Sequence, residues 1–381
     1  MRQSKRGQVE PFIAMDVLRM AAEAEAAGRD IVHMEVGQPS TSAPKAAKRR
    51  LAEALEHQPM GYTVALGLPY LREGIARLYK RWYNVDLDPA RVVITSGSSG
   101  AFQLAFTALF DAGDKVGLGE PGYPSYRQIL KALSIEPVGI PTEAQNRYQP
   151  TPEEIPDDLQ GLIVASPGNP SGTMLGKPEL EALIEHCAAR DIAFISDEIY
   201  HGLQYDARAV SALEITNDVF VINSFSKYFS MTGWRVGWMV VPESHLRTVE
   251  RLAQHMFICA PHASQVAALG ALESIEEMEG HVARYAESRA LLLEELPKMG
   301  FTRIAPPDGA FYLYADVSEL TEDSAAFAAE ILESVGVAVT PGMDFDPHRG
   351  KQTIRISYAQ SPERVAEGVR RLREFMAKRN G

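Results

Sequence analysis

The stretch VFVINSFSKYFSMTGWRVGW, residues 219–238, is the point around which the rest of the chain can be read. Val219 to Ile222 is a short β-branched apolar run with the length of a buried strand. It breaks into Asn223-Ser224-Phe225-Ser226 and delivers Lys227 just past the strand end, the edge at which open α/β sheets bind ligands. Further on, Arg235 lies inside Gly233-Trp234-Arg235-Val236-Gly237-Trp238, where glycines let the backbone approach a ligand closely. An amine, two small hydroxyls (Ser224 and Ser226) and a guanidinium suit a phosphate ester that also bears a carbonyl. The amine forms a Schiff base, and the hydroxyls and guanidinium hold the phosphate. A lone lysine after a strand is ordinarily solvated, so the reading depends on what else the chain supplies.

On both sides of this stretch the pattern is regular. Apolar strand-like runs occur at Val92–Thr95, Lys115–Leu118, Ile135–Ile140, Leu162–Ala165, Ile192–Ile195, Val219–Ile222 and Val236–Val241, most of them separated by helical or irregular connections. Short continuous apolar strands alternating with helices predict a mainly parallel sheet covered on both faces. The last two runs are too close for a crossover helix, which predicts an antiparallel strand there. Upstream, the pattern predicts a helix from about Asp16 to Ala27 closed by Gly28, a strand over Ile31–Val36, and helices over Pro44–His57 and Leu68–Trp82. After about Met256 the texture shifts to long helices with two strand candidates, Phe311–Ala315 and Thr353–Tyr358, an α+β pattern and a second domain.

Composition narrows the function. The 381 residues carry 45% hydrophobic and 23% charged side chains, those of an ordinary globular protein. The net charge of −12 argues against nucleic acid or an acidic membrane as partner, so any anion pocket must be local. Cys187 and Cys259 make neither a disulfide framework nor a metal spacing, and no stretch has the apolar length of a membrane span. The nine histidines show no H-E-x-x-H spacing, and no metal is expected. A cytoplasmic address follows as an expectation.

Each strand end then carries a motif with a functional and an ordinary reading. Thr95-Ser96-Gly97-Ser98-Ser99-Gly100 opens a helix, where free amides form an anion site; the ordinary reading is a cap by Ser98 or Ser99. Glu120-Pro121-Gly122-Tyr123-Pro124 could present Tyr123 as a flat platform, or be a tight turn with a core tyrosine. Gly117-Leu118-Gly119-Glu120-Pro121-Gly122 matches the dinucleotide pattern, but Pro121 and Pro124 interrupt the turn where free N–H groups are needed. Prolines flank Asn169 in Ser166-Pro167-Gly168-Asn169-Pro170-Ser171-Gly172 and could aim its amide at a ligand, or simply make a turn. In Ser196-Asp197-Glu198-Ile199-Tyr200 the two carboxylates should face opposite ways. Asp197 could keep a pyridine nitrogen protonated with Tyr200 alongside, or cap a helix. Arg355, alternating with apolar neighbours on a strand, calls for a substrate carboxylate or a structural salt bridge.

Together these motifs resemble the class I/II aminotransferases, the aspartate-aminotransferase-like branch of the fold type I pyridoxal-phosphate enzymes. The resemblance runs from about Val36 to Tyr358 and rests on Ser-Phe-Ser-Lys, Gly-Trp-Arg-Val-Gly, Asn-Pro-Ser-Gly and Asp-Glu-Ile-Tyr in family order. It implies an α/β fold: a large domain at 45–280 with a mainly parallel seven-stranded sheet between helices, and a smaller α+β domain from 1–44 and 281–381. It implies that Lys227 is the Schiff-base lysine of pyridoxal 5'-phosphate and the proton carrier of a ping-pong transamination via pyridoxamine phosphate. Ser98, Ser99, Ser224 and Arg235 would bind the phosphate, Tyr123 would stack on the ring, and Asp197 would pair with its nitrogen. Asn169 and Tyr200 would bond the phenolic oxygen. Arg355 would clamp the α-carboxylate of the substrate, an amino acid or a 2-oxo acid, with the Gly37 backbone nearby. Tyr62 matches a tyrosine that reaches the neighbouring subunit's cofactor, which implies a homodimer with shared active sites. Some relatives acting on acidic amino acids have lysine where Ser99 stands here, which leans the expectation toward a neutral or aromatic donor. A carbon–sulfur β-lyase on the same scaffold is the nearest alternative. A nicotinamide oxidoreductase and a cofactor-sensing regulator are more distant ones.

Overall fold

The computed structural model describes residues 1–379. Its centre is a seven-stranded sheet in the order Val92–Thr95, Gly237–Val240, Phe220–Ser224, Ala193–Asp197, Gly161–Ala165, Lys115–Glu120, Glu136–Pro141. All neighbours run parallel except Gly237–Val240, which is antiparallel to both of its own. The reversal has the expected cause: Phe225–Val236 is too short to cross back over the sheet.

Side-chain alternation along these strands feeds two cores. Val92, Ile94, Leu162, Val164, Phe194, Val221, Trp238 and Val240 point to one face. Val93, Ile163, Ile195, Phe220, Ile222 and Met239 point to the other. With both faces covered, each central strand reads as an uninterrupted apolar run. Glu136–Pro141 is one edge, opposite Val92–Thr95, and its glutamate and prolines (Glu136, Pro137, Pro141) blunt the unpaired side.

The later part of the chain forms a four-stranded sheet in the order Thr340–Pro341, Thr353–Ser357, Tyr312–Asp316, Arg303–Ile304, accompanied by helices Ser324–Val335 and Pro362–Arg379. The N-terminal segment joins this part. Val32–His33 pairs in parallel with Val337–Ala338, and the N–H of Ser357 donates to the Met34 carbonyl at 2.7 Å. This strand is shorter than the Ile31–Val36 expected from the sequence. The Glu35 carbonyl accepts instead from the Thr340 hydroxyl at 2.8 Å and from the Arg355 guanidinium, so side chains replace the ladder there. Among the described residues no helix is long and apolar enough to cross a membrane.

Candidate active site

The C-terminal ends of the parallel strands carry the site, a cavity of about 240 Å³. At the first of them Thr95 leads into helix Gly97–Leu109, whose N-cap residue Ser96 makes no side-chain cap. The first-turn amides are therefore without a side-chain acceptor, as an anion site requires. Ser98 and Ser99 lie inside that turn and line the cavity, so the capping alternative does not describe them. Two glycines bring the remaining cationic group to this turn. A Cβ on Gly97 would lie 2.5 Å from the Arg235 guanidinium, and one on Gly237 would lie 3.1 Å from the Ser98 amide. Arg235 itself is left-handed (φ 52°) and donates to the Thr232 carbonyl at 2.9 Å. Ser226 borders the cavity; Ser224 sits behind it, fully buried, with the two hydroxyls 2.8 Å apart.

Lys227 reaches the cavity from the turn after Phe220–Ser224. Its Nζ donates to the Gly37 carbonyl at 2.6 Å and lies 5.7 Å and 5.9 Å from the ring centres of Tyr200 and Phe311. Burial, reinforced by the Arg355 and Arg235 charges, lowers its pKa to about 7 against the opposing pull of Asp197. Asp197 ends its strand buried, accepting from the Tyr126 hydroxyl and from the Ile199 N–H at 3.1 Å. Burial raises its pKa to about 6, held back by those two hydrogen bonds and by Lys227. Glu198 turns the opposite way, as strand alternation requires, and accepts from the Ser211 hydroxyl and the Ala212 N–H at 2.8 Å.

The other sequence-predicted residues separate clearly. Tyr123, Asn169, Tyr200, Arg355 and Gly37 all line the same cavity. Tyr123 packs edge-to-face on Tyr126, ring centres 5.2 Å apart. Arg355 is 3% exposed and lies between the Tyr312 and Phe345 rings, at 4.4 Å and 4.7 Å. Its guanidinium donates to Asn169 Oδ1 at 2.8 Å and to the Glu35 carbonyl, while Nε has no partner among the described residues. These contacts are with neutral oxygens, not with the carboxylate of a structural salt bridge, and they leave a buried cationic donor for a ligand anion. Tyr62 stands apart: it is 83% exposed and outside the cavity.

Sequence reasoning missed several wall residues. Tyr126 is on the helix after Tyr123 and holds Asp197, and helical spacing is its only signal. Tyr312 comes from the four-stranded sheet, bonding Tyr200 hydroxyl to hydroxyl at 2.8 Å, and has no local signal. Phe12, Ala14 and Met15 arrive from the start of helix Ile13–Ala26, whose Ala14 amide donates to Asp344 Oδ2 at 2.9 Å. The dinucleotide pattern dissolves: Gly117 and Gly119 lie inside strand Lys115–Glu120, and a Cβ on Gly117 would strike Leu159 at 2.6 Å. Gly117 thus serves sheet packing, and neither glycine makes a phosphate turn.

A family model described as Aminotransferase class I and II matches residues 29–372. The chain is a class I and II aminotransferase. A valine–pyruvate aminotransferase of Mycobacterium tuberculosis is 46% identical over 382 residues, 98% of this chain and 98% of that protein. A crystal structure of an aminotransferase from the same organism matches with a TM-score of 0.97 at 46% identity, over 99% of this chain and 100% of that one. A protein of Silicibacter pomeroyi assigned as an aminotransferase matches its crystal structure at TM-score 0.95 and 62% identity, over 99% and 100% of the two chains. This aminotransferase therefore has the fold type I architecture, depends on pyridoxal phosphate, and transfers the amino groups of amino acids.

The residues present fit that cofactor. Uncapped helix amides, Ser226 and Arg235 form an anion cradle that a Cβ at Gly97 or Gly237 would fill. An amine of lowered pKa and a buried carboxylate line the same cavity, so a phosphate, a carbonyl and a protonated ring nitrogen each meet a matching group.

Proposed function

We propose that this aminotransferase takes a neutral aliphatic amino acid as donor and pyruvate as acceptor. The observation that carries the reading is the cavity's charge arrangement. Its cations are Lys227, Arg235 and Arg355, and its wall toward the N-terminal helix is apolar, built from Phe12, Ala14, Met15 and Val36. With Arg235 assigned to the cofactor phosphate and Arg355 to the substrate α-carboxylate, the described residues bring no third guanidinium to the cavity for a side-chain carboxylate. The serine at position 99 and the name of the valine–pyruvate relative support the same donor class.

Bound here, pyridoxal phosphate would supply an electrophilic carbonyl and an aromatic ring that draws electrons from the carbon bearing the amino group. Ser98, Ser99, Ser226 and Arg235 would hold its phosphate, with Ser224 bonding the Ser226 hydroxyl from behind rather than touching the phosphate as the resemblance implied, and Tyr123 would face its ring. Asp197, kept in place by Tyr126 and Ile199, would hold the proton on the ring nitrogen. Asn169 and Tyr200 would donate to the phenolic oxygen. Lys227, lowered to about pH 7 by burial, would be an uncharged amine often enough to take the proton from the substrate's α-carbon. Arg355 would bind the α-carboxylate and so fix which bond to that carbon faces Lys227.

Two arrangements belong to the same proposal. The chain divides at about 45–280 and 1–44 with 281–381, which the pairing of Val32–His33 with Val337–Ala338 supports. It works as a cytoplasmic homodimer, in which the exposed Tyr62 reaches the neighbouring copy's cofactor phosphate.

A donor panel with pyruvate and 2-oxoglutarate as acceptors tests the substrate. Valine or another aliphatic donor with pyruvate should give the highest kcat/KM. Aspartate as the best donor would overturn the proposal, and ammonia release without any acceptor would mark a β-lyase instead.

A further inference from the structure

The turn Asp344–Arg349 lies between two parts of the site, and one arginine fastens it. Phe345 forms one of the two aromatic faces against Arg355, 4.7 Å from the guanidinium, and is fully buried. Its carbonyl accepts from the Gly122 N–H at 2.9 Å, the residue before Tyr123. Four residues on, Arg349 spans the gap to the large sheet. Its terminal amine donates to the Glu120 carbonyl at 3.0 Å and to the Thr142 carbonyl at 2.9 Å, at the ends of adjacent strands. Its Nε donates back to Asp346 Oδ2 at 2.8 Å. Asp346 is buried, and its other oxygen accepts from the His348 and Arg349 amides, both at 2.9 Å, so the turn is closed on itself. Arg349 Nη1 also pairs with Glu143 Oε2 at 3.3 Å, and lysine could not reproduce this arrangement, because the planar fork addresses two carbonyls and two carboxylates at fixed angles.

We infer that Arg349 is a positioning residue for the substrate carboxylate, holding Phe345 against Arg355 by tying its turn to the Glu120 and Thr142 carbonyls. The inference rests on the assignment of Arg355 to the substrate carboxylate. Neither Arg349 nor Phe345 lines the cavity, so the strap reaches the substrate through what its turn holds, chiefly Arg355 against Phe345. A strap of this kind should act on substrate binding and leave the cofactor's own contacts in place.

The test uses holoenzyme with Arg349→Gln, Arg349→Lys, Asp346→Asn, Arg355→Gln and the Arg349→Gln/Arg355→Gln double variant. Steady-state kinetics with valine and pyruvate are measured beside the dissociation constant of pyridoxal phosphate. Arg349→Gln should raise KM for both substrates by about 10-fold, with kcat and the cofactor constant within about threefold of wild type. Arg349→Lys should fall between wild type and glutamine. Asp346→Asn loosens the same turn without touching the strand carbonyls and should show the same KM-selective pattern. Once Arg355 is glutamine, removing Arg349 should cost little more, since the two act on one contact. Unchanged KM in Arg349→Gln and Asp346→Asn, fully multiplicative effects in the double variant, or equal weakening of cofactor and substrate would each overturn the inference. An Arg355→Gln enzyme with normal KM would sink the underlying site assignment and the inference with it.

Discussion

As the proposed Schiff-base amine, Lys227 would owe its reactivity to burial. An exposed lysine is almost wholly protonated at neutral pH, but burial and the Arg355 and Arg235 charges bring this one to about 7. The sign is definite: a lowered lysine pKa means that the nucleophilic free amine gains population as pH rises through 7. The rate at which cofactor-free protein captures pyridoxal phosphate should therefore rise about tenfold between pH 6 and 8, levelling above. A stopped-flow absorbance series checks this, and a flat profile would contradict the lowered pKa. Lys227→Ala should still bind the cofactor through the phosphate cradle yet lose turnover. Asp197→Asn replaces the carboxylate that would hold the ring-nitrogen proton and should lower kcat by at least about 100-fold with the fold intact by circular dichroism. The identities of these two residues are legible in the sequence because each follows a strand-length apolar run. Tyr126 and Tyr312, which orient them and their neighbours, are not, because their roles arise only when separate elements pack together.

At the scale of elements, the site depends on how closely strands and turns approach. Gly237 begins the antiparallel strand, and a Cβ there would meet backbone on all sides: the Asn223 carbonyl at 2.8 Å, the Gly97 carbonyl carbon at 3.0 Å and the Ser98 amide at 3.1 Å. None of these is a flexible side chain that can swing away. Gly237→Ala should destabilise the protein by about 1–3 kcal/mol, read from chemical denaturation, and weaken pyridoxal phosphate binding as the cradle spreads. Unchanged stability and affinity would show that the cradle is looser than its geometry. Gly37 differs in kind, because the obstacle is the Tyr312 hydroxyl, a side-chain atom. The central strands are legible from sequence nearly to the residue, since a strand buried on both faces leaves a continuous apolar signature. Val92–Thr95 coincides with its expected span, and Phe220–Ser224 is shifted by only a residue or two. The Ile31–Val36 strand is the counterexample. Its apolar pattern is real, but the Glu35 carbonyl is claimed by Arg355, which is distant in sequence, and so the ladder stops early.

Across the whole molecule, one pocket draws on residues from Phe12 to Arg355, so it exists only when the chain is folded throughout. The large-sheet half of that pocket is legible in the sequence because parallel strands deliver their loops to one edge. The contribution of the N-terminal helix is not, since Phe12, Ala14 and Met15 form an ordinary amphipathic start, held in place by Asp344 from the far end of the chain. Tyr62 carries the proposed link between copies: it is 83% exposed in one chain and accompanied by the exposed Val64 and Ile258. Sedimentation equilibrium should give a dimer, and Tyr62→Ala should weaken pyridoxal phosphate binding by a few-fold, the worth of one lost hydrogen bond. A monomer with full activity would contradict the shared site. The most direct measurement remains chemical. Purified protein is incubated with pyridoxal phosphate, reduced with borohydride, digested and mapped by mass spectrometry. A single stable adduct on Lys227 is the predicted result, and its absence, or an adduct confined to another lysine, would contradict the account.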